Sequence, residues 1–174
     1  MAKNTYRIPI GFAAGAAFLY LADPTPLSFA LGLALMILGE TVRFVSAGTL
    51  IKYEGVTRNG IYALTRNPLY IGSFLIGAGA CAMGRDPWFD LFFAVAFPVV
   101  YWRIVKREEA FLLSRYGDDY ARYLREVPRF WPREFRIREA FGESSAFLAV
   151  KNGELKAVAG ILFVSAVMVY KILS

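Results

Sequence analysis

PLYIGSFLIGAGACAM (Pro68–Met83), GRDP (Gly84–Pro87) and WFDLFFAVAFPVVYWRIV (Trp88–Val105) follow one another without interruption. The outer two pieces are apolar almost throughout, and the middle one is a short polar break holding glycine and proline. A break that short joins two antiparallel helices and little else. Crossing a bilayer core takes about 20 helical residues, with a range of roughly 17–25. The stretch therefore reads as a helical hairpin in a membrane.

The same pattern recurs on either side. Tyr6–Ala22 and Leu27–Ala47 flank the break Asp23-Pro24-Thr25-Pro26, and Leu155–Leu173 forms a fifth apolar segment. The first and third are at the short end for spans. The first is not read as a signal peptide, because no small-residue cleavage site precedes a polar region; another apolar helix follows instead. Composition agrees: 57% of the 174 residues are hydrophobic, with 15 Phe and 10 Tyr among them, and mean hydropathy is +0.43. A soluble domain of this size keeps more of its surface polar. The sequence predicts an all-α integral membrane protein, one domain over residues 1–174, with five transmembrane helices and cytoplasmic interfacial helices.

Charge placement predicts the orientation. Lys3 and Arg7 precede the first span. Arg43, Lys52, Arg58 and Arg66 belong to the second loop or its edges, and twelve basic residues lie between Arg103 and Lys156. Only Arg85 and Lys171 fall on the other side. The positive-inside rule then places the amino terminus in the cytoplasm and the carboxyl terminus outside. The net charge of +6 follows from this topology and from anionic headgroups, and calls for no nucleic acid.

Two cytoplasmic stretches carry most of the information. Gly48–Asn67 holds three glycines and reads as an irregular segment folding back over the membrane. Lys106–Val127 reads as an amphipathic interfacial helix interrupted at Gly117, with Phe111, Leu112, Tyr116, Tyr120, Tyr123 and Leu124 at spacings of three and four. Asp118 and Asp119 suit the cap of a second short helix. Arg133–Asn152 reads as a connecting segment.

The chain contains no histidine and a single cysteine, Cys81. That removes the imidazole base, Ser-His and Cys-His nucleophiles, and thiolate or histidine metal cages. No metal site is expected, and Cys81 is read as packing. Three constellations remain. Asn67-Pro68 is either a plain helix start, with Asn as N-cap and Pro first, or an anion site built on the free N–H groups there. Glu108 and Glu109 are either an ordinary charged helix end or, pointing about 100° apart, one acid facing the bundle and one facing water. Glu40 and Arg43, at i, i+3, are read as an ion pair with Arg43 reaching toward the interface, and alternatively as binding residues.

Two blocks of these residues resemble a known superfamily. Gly60-Ile61-Tyr62 through Arg66-Asn67-Pro68-Leu69-Tyr70-Ile71-Gly72-Ser73 is similar to the first signature of the isoprenylcysteine carboxyl methyltransferase and phospholipid methyltransferase superfamily. Glu108-Glu109-Ala110-Phe111-Leu112, Tyr116-Gly117-Asp118-Asp119-Tyr120, Tyr123 and Val127-Pro128-Arg129-Phe130-Trp131-Pro132 resemble its second signature. The motif core covers roughly residues 40–133, and 155–173 would be an additional C-terminal transmembrane helix. Asn67 departs from the carboxyl methyltransferase branch, which usually has His there; Asn-Pro with Gly-Ser after it is more similar to the phosphatidylethanolamine N-methyltransferase branch.

The resemblance implies a membrane enzyme that transfers a methyl group from S-adenosylmethionine to a lipid-like or isoprenoid acceptor, on a carboxylate or an amine. It implies a cofactor site on the cytoplasmic side formed by Tyr62, Arg66, Asn67, Pro68, Tyr70, Glu109, Tyr120 and Tyr123. Either Glu109 or Glu108 would take the ribose hydroxyls or amino group. Glu108 and Arg129 are the candidate catalytic residues; an amine acceptor would lose its proton to a glutamate or to water, and Arg129 would lie near the acceptor's polar group. The acceptor would enter sideways from the bilayer. Such a transfer needs orientation more than a base, which suits a chain without histidine. The alternatives are a steroid-reductase-like membrane oxidoreductase using NADPH and a non-catalytic membrane binding protein.

Overall fold

Proline and glycine set the helix boundaries. In the computed structural model, which describes residues 7–51, 55–133 and 137–174, the chain forms α1 (Arg7–Leu21), α2 (Pro26–Thr49), a 3₁₀ turn (Gly60–Ala63), α3 (Pro68–Gly84), α4 (Pro87–Glu126), α5 (Ile137–Gly142), α6 (Ala146–Lys151) and α7 (Leu155–Leu173). Pro26, Pro68 and Pro87 each occupy the first turn of a helix, where a missing N–H costs nothing. Thr25 caps α2 in a capping box with Ser28, and Asp86 caps α4 by accepting from the Phe89 N–H at 2.7 Å. Arg85 takes a left-handed conformation (φ 56°) between α3 and α4 and lets the hairpin turn. No strand occurs among the described residues.

Among the described residues, three helices are long and apolar enough to cross a membrane: α2, α4 and α7. The apolar helix α3 has 17 residues and α1 has 15, both below the usual crossing length. The expected five spans thus correspond to three membrane-length helices and two shorter apolar ones. Tyr6, the expected start of the first span, and Lys52 lie outside the described residues, as do positions 134–136 of the expected connecting segment.

Helices α2 and α3 form the tightest pair. Gly32 and Gly39 on α2 face Gly79 and Gly72 on α3. A Cβ on Gly32 would stand 2.5 Å from the Gly79 carbonyl oxygen, and one on Gly39 would stand 2.6 Å from that of Gly72. Only hydrogen at these positions lets the two backbones approach, which is how helices associate where no water is present to drive them together. The other face of α3 meets α4 through aromatic rings. Phe74 lies 5.7 Å from Phe93 and 5.4 Å from Phe97, and Tyr70 lies 5.0 Å from Tyr101. The start of α3 is thereby held from both sides.

One end of the bundle holds the α1–α2 and α3–α4 turns and the end of α7. Lys171 of α7 donates to the carbonyl oxygens of Leu19 (3.1 Å), Tyr20 (3.0 Å) and Ala22 there, so it satisfies the open end of α1. At the other end α6 packs on α2. Asn152 donates to the carbonyls of Ala47 (2.8 Å) and Leu50 (3.1 Å) and closes the end of α2.

Three expectations change. The helix expected separately from Lys106 is continuous with the preceding span. No Gly or Pro lies between Val105 and Gly117, so nothing stops the helix before Gly117, whose φ of 52° and ψ of −127° break it. The segment expected to be irregular from Gly48 remains helical through Thr49. The connecting segment before the last span contains α5 and α6, the latter capped by Ser145.

Candidate functional site

The first motif block folds as the 3₁₀ turn, a short bend and the start of α3; the second folds as the polar extension of α4 and the strap after it. A ladder of contacts joins them. Arg58 pairs with Asp119 at 3.1 Å, and the Tyr123 hydroxyl donates to the Tyr62 carbonyl at 2.7 Å. The Arg66 N–H donates to the Pro128 carbonyl at 3.0 Å. The Thr65 hydroxyl and the Asn67 amide both donate to the Arg129 carbonyl at 3.1 Å.

Asn67 sits at the N-cap position of α3 with φ −130° and ψ 52°, and its side chain makes no capping bond. The capping expected from Asn-Pro is therefore not made. The amide is drawn to the Arg129 carbonyl instead, because the strap brings that acceptor within reach. The first turn of α3 is left without a side-chain acceptor, and its partial positive charge faces the adjoining space.

That space is a cavity of about 300 Å³, and Tyr62, Arg66, Asn67, Pro68, Tyr70, Glu108, Glu109, Tyr120 and Tyr123 all line it. Leu50, Gly55, Leu69 and Leu112 add apolar wall. Arg129 does not line it. Its guanidinium grips Glu109, with Nε to Oε1 at 3.0 Å and Nη2 to Oε2 at 2.6 Å, and lies 4.8 Å from the Trp102 ring centre. Arg66 takes Glu109 from the other side at 3.1 Å. Glu109 is thus shared between two arginines and braces the strap against α3. The bond to Glu109 holds the Arg129 guanidinium above its usual range, so it stays charged. Glu108 is exposed, lies beside the Tyr70 hydroxyl, and makes no ion pair among the described residues. Burial pushes the Tyr62 hydroxyl well above the usual tyrosine range, with Tyr123 and Glu108 adding to the effect, so Tyr62 remains a neutral donor.

A second cavity of about 320 Å³ adjoins the first. Ile71, Phe74, Phe97, Pro98, Tyr101, Trp102, Phe130 and Trp131 line it, and Tyr70 lines both. It lies between α3 and α4, where Pro98 interrupts the helix ladder of α4.

Some members of this arrangement were not singled out in the sequence. Thr65 carries no signal of its own, since its role depends on the Arg129 carbonyl reaching it. Trp102 is one aromatic among many in its span. Glu40 and Arg43 do pair, at 3.8 Å, but the main partner of Arg43 is Glu154, with bonds of 3.0 and 2.9 Å, and Ser73 is another at 2.5 Å. An acid at the start of the apolar α7 and an arginine within the apolar α2 were the available clue.

Fold and cavities together define an all-helical protein with membrane-length helices and a polar pocket at one end of the bundle, beside an aromatic cleft. The family described as phospholipid methyltransferase matches residues 27–119, more than half of the chain. The chain belongs to the phospholipid methyltransferase family. Tyr120, Tyr123, Arg129 and all of α7 lie beyond the matched residues.

Curated relatives agree. Protein-S-isoprenylcysteine O-methyltransferase A of Arabidopsis thaliana is 34% identical over 112 residues, which cover 55% of this chain and 55% of that protein. Protein-S-isoprenylcysteine O-methyltransferase of Schizosaccharomyces pombe is 28% identical over 95 residues, covering 55% of this chain and 40% of its own. The cobalt-zinc-cadmium resistance protein CzcN of Cupriavidus metallidurans is 33% identical over 82 residues, covering 47% of this chain and 38% of its own. The chain spans about half the length of the curated relatives it matches. No solved structure matches it.

Proposed function

We propose that this protein is a membrane methyltransferase that uses S-adenosylmethionine and acts on a lipid-like acceptor drawn from the bilayer. The observation that carries the reading is Tyr70, which lines both the polar cavity at the start of α3 and the aromatic cleft between α3 and α4. A methyl donor in the first and an apolar acceptor in the second would meet at one residue.

The polar cavity suits S-adenosylmethionine in its chemistry. The uncapped start of α3 can receive the methionine carboxylate. Glu108, with no ion pair among the described residues, can accept from the ribose hydroxyls or the amino group. Leu50, Leu69 and Leu112 offer apolar surface to the adenine. When bound, the sulfonium supplies an already activated methyl group. Tyr62 and Tyr123 fix the turn that forms one wall, and the Arg66–Glu109–Arg129 cluster holds the strap that forms another. A carboxylate acceptor needs no base; for an amine acceptor Glu108 can take the proton. The aromatic cleft excludes water and admits a hydrocarbon chain. In this reading all five apolar helices lie in the membrane, the short α1 and α3 included. The site and the amino terminus face the cytoplasm, and the carboxyl terminus lies outside.

Calorimetry of the detergent-solubilised chain with S-adenosylmethionine and with NADPH tests the cofactor. Transfer of labelled methyl groups into extracted lipids tests the reaction. Binding of S-adenosylmethionine alone, with label entering the lipid fraction, is expected. Binding of NADPH, or of neither, overturns the proposal in favour of a reductase or a non-catalytic protein.

A further inference from the structure

A third cavity, of about 700 Å³, lies between α2 and α7 and shares no lining residue with the two described above. Leu33, Ile37 and Phe44 of α2 and Val158, Ile161 and Leu162 of α7 form its walls. Three polar side chains are among its lining residues, Glu40, Thr41 and Ser165. Among the described residues, neither buried oxygen of Glu40 has a hydrogen-bond partner, nor does the buried Ser165 hydroxyl.

The lack of partners follows from how the neighbouring groups are engaged. Arg43 is the cation nearest Glu40, yet it gives Nε and Nη2 to Glu154 at 3.0 and 2.9 Å and Nη1 to Ser73 at 2.5 Å. Glu40 is left 3.8 Å from Nε, so two acids share one arginine. Other hydroxyls of the bundle, that of Thr41 in the cleft included, turn back onto their own backbone. Thr41 bonds to Ile37, Thr49 to Val45 and Ser73 to Leu69. Ser165 does not. A carboxylate and a hydroxyl without donors in an apolar cleft are costly. The cost disappears when a bound molecule brings a donor.

We propose that this cleft binds a lipophilic molecule carrying one small hydrogen-bond donor, an alcohol or an amine, with the donor on Glu40 and Ser165 and the hydrocarbon body between α2 and α7. Its volume is within the usual range for ligand sites. Ile37 and Leu162 are 56% and 65% exposed, so the site opens where bilayer lipid would reach it. A second copy of the chain is the poorer occupant, because the exposed apolar residues of α2 and α7 offer no donor to Glu40. A trapped water would satisfy the oxygens but leave the apolar walls unfilled.

The test uses the full chain in phosphatidylcholine nanodiscs with four photoactivatable long-chain probes: an alcohol, its methyl ether, an amine and a carboxylate. Labelling of α2 and α7 peptides by the alcohol or the amine should exceed labelling by the ether and carboxylate by about 10-fold, the equivalent of one well-placed hydrogen bond. The ratio of amine to alcohol tells which donor is preferred. Glu40→Leu should abolish the preference, and Glu40→Gln should keep the alcohol and lose the amine. Equal labelling by alcohol and ether in the wild type, labelling confined to other helices, or cross-links only between copies would each overturn the proposal. The wild-type comparison decides even if Glu40→Leu fails to fold.

Discussion

Glu109→Gln separates a residue that braces the site from one that touches a ligand. Glu109 accepts from Arg129 at 2.6 and 3.0 Å and lies 3.1 Å from Arg66. The Glu109 and Arg66 side chains are only 13% and 10% exposed, whereas Arg129 is 29% exposed. An amide at this position loses the charge and turns a donor toward one of the two arginines. Breaking a buried pair costs about 3–5 kcal/mol, and a charge-assisted hydrogen bond contributes about 1.5–3 kcal/mol. Arg129 is wet enough to rehydrate, so about 2–3 kcal/mol is the expected loss once that screening is counted. On the scale of soluble domains of this length, at about 2–4 °C per kcal/mol, the midpoint should fall by about 4–12 °C. Glu108→Gln is the matched control, since Glu108 makes no ion pair among the described residues. The assay is a pair of measurements in one detergent: the ligand-free melting temperature, and the shift produced by S-adenosylmethionine. Glu109→Gln should lower the first. Glu108→Gln should leave the first unchanged and shrink the second. A Glu109→Gln protein that melts like wild type and no longer responds to the cofactor would refute the bracing argument and make Glu109 a direct ligand.

Asn67→Asp should also lower the ligand-free melting temperature, by the equivalent of about 1–3 kcal/mol, because a carboxylate would face the Arg129 carbonyl that the amide now donates to; a protein of unchanged melting temperature would show that this bond contributes nothing. Gly39→Ala should destabilise the α2–α3 pair by about 1–3 kcal/mol, since the added Cβ would stand 2.6 Å from the Gly72 carbonyl oxygen, whereas Gly15→Ala, with open space around it, should not; equal melting of the two in thermal denaturation would contradict the close approach. On a Cys81-free background, Phe147→Cys should label with a membrane-impermeant thiol reagent only from the cytosolic face and Leu173→Cys only from the other; both positions are exposed, and the reverse pattern would overturn the orientation.

The helices were legible because apolar runs and proline-bearing breaks are local signals. Pro68 and Pro87 marked the starts of α3 and α4, and Arg85-Asp86 marked the turn between them. Span number was less legible, because lengths of 15 and 17 residues lie where a short span and a buried apolar helix look alike. The continuity of the fourth apolar segment with the polar helix after it was not legible for a related reason. Hydropathy drops at Lys106, but helix geometry does not respond to hydropathy and continues until Gly117. The two motif blocks, read through their resemblance, named the residues that line the polar cavity. The partners within that set were not legible. That Glu109 would be enclosed by two arginines while its neighbour stayed open depends on the strap carrying Arg129 back across α4. No spacing in the sequence encodes that return.

The same return explains why Asn67 behaves unlike an ordinary cap. In a helix start facing solvent, an Asn side chain turns onto its own N–H groups because nothing better is near. Here the strap offers the Arg129 carbonyl to both Thr65 and Asn67, while glycine contacts on one face of α3 and aromatic contacts on the other keep the helix from shifting to recover a cap. The first turn is therefore held in place without a capping bond from the Asn67 side chain. A helix free to move would close that gap. The seam at Gly39 and Gly72 lies about one turn from the cavity along α3, so it bears on the binding of an anion there without touching it. Disturbing the seam should weaken the pocket in proportion to how far the helix start relaxes.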